Sequence, residues 1–140
     1  MNSKLNPNYI SGFVDGEGCF SVTFNKKKDM IRPEVRLIFE IELREDDLEI
    51  LRRIKNTLGC GNIYHLRYLR YSKWIPHYKY KVSNIKDISE KVIPFFRKYP
   101  LQAKKKYSFE RFYIVSQLVL KKKHLTNEGI LKIRRIYGLK

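Results

Sequence analysis

Apolar and polar residues alternate cleanly over residues 19–25, with Phe20, Val22 and Phe24 on one side and Cys19, Ser21, Thr23 and Asn25 on the other. A period of two over that length predicts a half-buried strand. The alternation returns over residues 35–43, where Leu37, Phe39, Ile41 and Leu43 face one way. Arg36, Glu40 and Glu42 face the other, with Ile38 an apolar exception among them. From Glu45 the period lengthens, and Leu48, Leu51, Ile54 and Leu58 form a helical stripe that Gly59 closes. Two more strands are predicted over residues 62–70 and 77–82, joined by a basic, aromatic loop containing Trp74. Helices follow over residues 85–96 and 105–120, and a last one begins after Thr126. At the other end, Asn6-Pro7 supplies an N-cap and a proline at the first helical position. A short helix is expected over residues 7–15, stopped by Gly16 and Gly18.

The order is αββαββα with further helix at the end, an α+β pattern. Two hairpins, each followed by a helix, predict a four-stranded antiparallel sheet with helices on one face and the other face open. Ser21, Thr23, Asn25, Arg36, Glu40, Glu42, Tyr64, Lys79 and Lys81 should point to that open face. At 140 residues without a low-complexity or Pro/Gly/Ser linker, a single domain over residues 1–140 is expected. A hydrophobic share of 43% argues against disorder. No apolar run is long enough for a membrane span, and the first residues have no signal-peptide core, so an intracellular protein is expected. Cys19 and Cys60 are too few for a disulfide framework and too far apart for a paired zinc motif.

Charge changes the picture most. A net charge of +16 on so small a chain implies a polyanionic partner, either nucleic acid or an anionic membrane surface. The side chains of the open sheet face are of the kinds that bond base edges and phosphates, which tilts the choice towards nucleic acid. Then there is Asp15-Gly16-Glu17-Gly18, two acids where a helix end meets a turn. The helix dipole disfavours negative charge there, so a bound cation is a natural compensation. Carboxylate oxygen suits Mg²⁺, and phosphodiester hydrolysis is a reaction that such an ion promotes.

The nine residues Ile10-Ser11-Gly12-Phe13-Val14-Asp15-Gly16-Glu17-Gly18 resemble, position by position, the signature of the LAGLIDADG endonucleases. The similarity continues through Phe39-Glu40-Ile41-Glu42-Leu43, Leu58-Gly59-Cys60-Gly61-Asn62, Tyr78-Lys79-Tyr80-Lys81-Val82 and Tyr99-Pro100-Leu101-Gln102-Ala103-Lys104-Lys105 to His124-Leu125-Thr126-Asn127. The resemblance implies a homing endonuclease that cuts both strands of a long, nearly palindromic double-stranded DNA, leaving short 3′ overhangs. It implies Mg²⁺ as cofactor, with Mn²⁺ as a substitute, held by Glu17 and by the Gly16 position. Asp15 is a supporting acid at the helix end. Lys104 or Lys105, with Lys104 the first choice, would approach the scissile phosphates. Ser11 and Gly12 would let two copies of the helix pack closely, and one signature in the chain implies a homodimer. Leu43 stands where several members carry a polar, water-ordering residue. Two rival readings share the fold: an intron maturase that binds RNA, and a DNA-binding regulator without cleavage. The Lys-, Ile-, Asn- and Tyr-rich composition is that of an A+T-rich coding sequence, as in an organelle or a bacterium. Scattered histidines exclude a His/Cys metal nuclease, and no Walker or dinucleotide fingerprint occurs.

Overall fold

The computed structural model describes residues 4–67 and 75–138. Helix α1 (Pro7–Glu17) starts where Pro7 predicts, and the Asn6 side chain caps it by accepting from the Asn8 N–H at 2.8 Å. It does not stop at Asp15. Gly16 stays inside the helix, and the chain leaves it only at Gly18, which is extended and opens strand β1 (Gly18–Asn25). A Cβ on Gly18 would lie 2.6 Å from Val14 Cγ1, so this abrupt helix-to-strand passage requires glycine.

Strand β2 (Glu34–Arg44) pairs antiparallel with β1, a short 3₁₀ turn follows at Glu45–Asp47, and α2 (Leu48–Leu58) ends on left-handed Gly59. Strands β3 (Asn62–Leu66) and β4 (His77–Val82) complete a four-stranded antiparallel sheet in the order β1-β2-β4-β3. The third strand therefore ends at Leu66 and not at residue 70, and the loop expected around Trp74 lies outside the described residues.

The helix expected over residues 85–96 is a continuous rod in three parts. α3 (Ile85–Asp87) passes into a π-helical turn, Ile88–Val92, and then α4 (Ile93–Lys98). In the wide turn the Ile93 N–H reaches back to the Ile88 carbonyl. Pro94 explains the widening, since it has no N–H and its ring crowds the carbonyl four residues earlier. α5 (Lys105–Leu120) matches its expected span, and Thr126 caps α6 (Asn127–Ile136) through the Gly129 N–H.

The helices cover one face of the sheet. Phe20 is the centre of the core, stacked on Phe39 at 4.9 Å and met by Phe96, Phe109 and Phe112 within 5.5 Å. Such ring pairs contribute about 0.5–1.5 kcal/mol each beyond their area. Leu43 is partly buried against this core, on the same face as Ile41. Among the described residues no helix is long and apolar enough to cross a membrane.

Candidate active site and nucleic-acid interface

α1 divides by burial into two stripes. Ile10, Ser11 and Val14 face the core, with Ser11 only 4% exposed and its hydroxyl donating to the Tyr99 carbonyl at 2.5 Å. The expectation that Ser11 lies in an interface with a second copy is therefore corrected: its side chain is used within the chain, tying α1 to the end of α4. The outward stripe is Tyr9, Gly12, Phe13 and Gly16, with the rings of Tyr9 and Phe13 6.1 Å apart. A Cβ added at Gly12 or Gly16 would meet nothing within 4 Å. Glycine is not needed at either place by this chain's own packing.

At the C-terminal end of α1 the two acids have different surroundings. Asp15 accepts from the backbone N–H groups of Gln102 at 2.8 Å and Ala103 at 3.2 Å, so its carboxylate holds the segment that leads into α5. Glu17, the last residue of the helix, is exposed. Of the two lysines, Lys105 is the one that reaches α1, its Nζ donating to the Val14 carbonyl at 3.1 Å. An ammonium at a helix C-terminus opposes the negative end of the dipole, where both acids sit. Lys104 is exposed at the N-cap of α5.

Glu17 adjoins Gly18, which is paired with Ile41, so the acid lies level with the part of β2 nearer its C-terminal end. The open sheet face extends from it in both directions. One way run Ser21 opposite Ile38, Thr23 opposite Arg36, and Asn25 opposite Glu34. The row Cys19–Glu40–Lys81–Asn62 crosses all four strands, and beyond it lie Glu42–Lys79–Tyr64 and Arg44–His77–Leu66. All nine residues expected on this face share it, in these two groups. The charged group is cross-linked: Lys79 Nζ lies 3.4 Å from Glu40 and 3.8 Å from Glu42, and His77 Nδ1 lies 3.0 Å from Glu42.

Cys19 lies on the face to which the alternation assigns it, and His77, Asn62 and Arg44 join it although the alternation had not singled them out. Their signal was parity, since each lies an even number of positions from a residue already placed there. Leu43, by contrast, points to the core, so the outward positions at the end of β2 are Glu42 and Arg44.

Among the described residues no group of three or more His, Cys, Asp or Glu is placed to hold a metal ion. One exposed carboxylate and the α1 carbonyls beyond Val14, which a helix end leaves without intrahelical donors, are the oxygen ligands available at this end. That set fits a hard divalent ion that keeps several waters and completes its shell from phosphate oxygens, and it does not fit a closed structural site.

The sequence pattern of the LAGLIDADG endonuclease family matches residues 10–116. Among curated proteins, "Probable intron-encoded endonuclease 3" of Neurospora crassa is 31% identical over 137 residues, covering 98% of this chain and 25% of that protein. "Homing endonuclease I-ApeII" of Aeropyrum pernix is 27% identical over 118 residues, covering 80% of this chain and 63% of that protein. Among solved structures, I-SmaMI bound to an uncleaved DNA target in the presence of calcium ions superposes with a TM-score of 0.86 at 30% identity. That match covers 95% of this chain and 44% of I-SmaMI. The homing endonuclease I-TnaI gives a TM-score of 0.84 at 30% identity, over 95% of this chain and 86% of that one. The chain thus spans about a quarter of the length of the Neurospora relatives it matches.

Proposed function

The chain belongs to the LAGLIDADG endonuclease family, and from that premise we propose that it is a site-specific homing endonuclease acting on double-stranded DNA. The observation that carries this reading is the end of α1: an exposed acid, Glu17, backed by Lys105 and by a loop held on Asp15. The chain acts as one catalytic unit over residues 1–140, and two copies meet through Tyr9, Gly12, Phe13 and Gly16. One copy offers one exposed acid, which suffices for one strand. A second copy related by a two-fold axis brings a second Glu17 for the other strand. The target is then long and nearly palindromic, because each open sheet face reads one half.

Each group has a distinct task. Glu17 and the Gly16 carbonyl hold a divalent cation, Mg²⁺ with Mn²⁺ as a substitute. When bound, that ion supplies positive charge to the scissile phosphate and the departing oxygen. Asp15 fixes the loop from Leu101 to Lys104 against α1, so that both lysines start from a defined place. Lys105 balances the acids at the helix end and lies nearest the reacting phosphate, while Lys104 contacts the backbone beside it. Ser21, Thr23, Asn25, Arg36, Glu40, Glu42, Tyr64, Lys79 and Lys81 line the groove face. The relatives' names, "intron-encoded" in several and one "in ND4 intron 1", support an origin in an intron, of an organelle or a bacterium.

The test is cleavage of a supercoiled plasmid carrying the intron-free insertion site, with Mg²⁺ or Mn²⁺ added. Wild type should linearise it, and Glu17→Gln should slow cleavage about a thousandfold or more while still binding, as expected when the cation's contribution of several kcal/mol is lost. Binding without cleavage by the wild type at every metal concentration would leave only a regulator.

A further inference from the structure

The open sheet face carries acids although it is the face offered to a polyanion. Glu34, Glu40 and Glu42 project from β2 among Arg36, Arg44, Lys79 and Lys81. Glu34 is paired with its own strand neighbour Arg36, at 3.1 Å, near the start of β2. A carboxylate on such a face repels phosphate, so it weakens binding unless a base donates a hydrogen bond to it. In the major groove only two base groups can do so, the N4 amino group of cytosine and the N6 amino group of adenine.

The way the side chains lean separates Glu40 from Glu42. Lys79 is the register partner of Glu42, yet its Nζ lies nearer Glu40, at 3.4 Å against 3.8 Å. His77, the register partner of Arg44, places its Nδ1 3.0 Å from Glu42. Both β4 side chains thus reach one pair along the ladder, the diagonal contact that long side chains make across antiparallel strands. Glu42 is held at both oxygens, Oε1 by Lys79 and Oε2 by His77. Among the described residues the ion pair of Glu40 engages one oxygen, Oε2. Lys79 and Glu40 are only 27% and 26% exposed, so the couple is set in place by its neighbours before any DNA arrives.

We propose that Lys79 and Glu40 together read one G·C base pair in each half of the target. Lys79 donates to O6 and N7 of guanine, and Glu40 accepts from N4 of cytosine, the group beside O6 on the same groove edge. An A·T pair fits the couple less well. Its one amino group lies between two acceptors, adenine N7 and thymine O4, so a carboxylate facing N6 also meets the lone pair of N7. The proposal rests on the duplex-DNA reading and adds to it the identity of a base pair.

The experiment measures binding without divalent metal, so that the DNA stays whole, to a panel in which each base pair of the intron-free insertion site is changed in turn. At one position of each half, wild type should lose about tenfold or more in affinity when G·C becomes A·T. At that position Glu40→Gln should prefer A·T, because a glutamine amide pairs with adenine N6 and N7. Lys79→Met should lose most of the preference at the same position, and Lys79→Arg, which keeps a cation able to donate to guanine, should retain it. Glu110→Gln removes the same charge from an exposed site on α5 and should leave every preference as in wild type. If Glu40→Gln changes affinity by one factor for all sequences, the acid is only a counter-charge and the proposal is overturned. Glu40 and Lys79 variants that alter different base pairs overturn it as well. If wild type binds the insertion site no better than a random duplex, the homing-endonuclease reading itself fails, an outcome distinct from any change among the variants.

Discussion

Asp15 and Glu17 are two residues apart and chemically alike, yet the structure separates their effects. Asp15→Ala removes the acceptor for two backbone N–H groups, so it should cost about 1 kcal/mol in a urea titration as well as slow cleavage. Glu17→Gln removes an exposed carboxylate from the negative end of α1, so the melting temperature should hold or rise slightly while cleavage is lost. The opposite outcome, a stable Asp15→Ala and an unstable Glu17→Gln, would exchange the two roles. The acids were legible because the signature names them, but nothing in the sequence says that residues 102 and 103 come to meet Asp15. That contact spans 87 positions of chain and exists only once α1 and the turn before α5 are packed. Ser11 shows the same limit from the other side. A small residue in the signature suggests close helix packing, but a small residue is also what fits under a neighbouring carbonyl, and here it lies under that of Tyr99.

For whole elements, burial periodicity was the reliable guide, while glycine marked the end of α2 at Gly59 but misled at Gly16. β1, β2, β4 and α5 fall where alternation and helical stripes put them, because each must bury one face on the same core, whereas β3, with little buried surface, is shorter than expected. Gly16 failed to end α1 because a glycine stops a helix only when the chain needs to turn there, and the turn waits for Gly18. The exposed Gly12 gives an element-scale prediction. Gly12→Ala should raise the stability of the isolated fold by about 0.5–1 kcal/mol, since nothing in the chain meets the added methyl group. Gly12→Leu should equally spare the fold but shift sedimentation towards the monomer and abolish double-strand cleavage. If it leaves association unchanged, α1 is not the meeting face. A second prediction concerns the 3₁₀ turn Lys123–Leu125. Burial pushes the His124 imidazole below its ordinary 6.5, and its buried Nδ1 has no hydrogen-bond partner among the described residues. The unfolded chain then takes up this proton before the folded one does. Stability from His124 is complete above about pH 6.5 and is lost as pH falls through the interval down to the folded value. Denaturation midpoints measured from about pH 7.5 to about pH 5 should fall less steeply for His124→Gln than for wild type.

For the whole molecule, the net charge was legible at once and its location was not, because a sequence does not show which helix borders which strand. The distribution of function between copies is a similar problem. The chain covers 44% of I-SmaMI but 86% of I-TnaI, so the same fold unit appears as part of a longer chain and as nearly all of a shorter one. If the unit supplies one acid per strand, the covalent arrangement should not matter, but the number of intact acids should. Two copies joined by a flexible linker long enough to span the pair should cut both strands of the proposed palindromic target, at the rate measured for separate copies. Placing Glu17→Gln in one half should convert that fusion into a nickase, visible as open-circular plasmid that does not proceed to linear. The strand that survives should switch when the substitution is moved to the other half on an asymmetric site. A fusion that still linearises DNA with a single Glu17 would mean that one acid serves both strands in turn, and the division of labour across the two-fold axis would have to be abandoned.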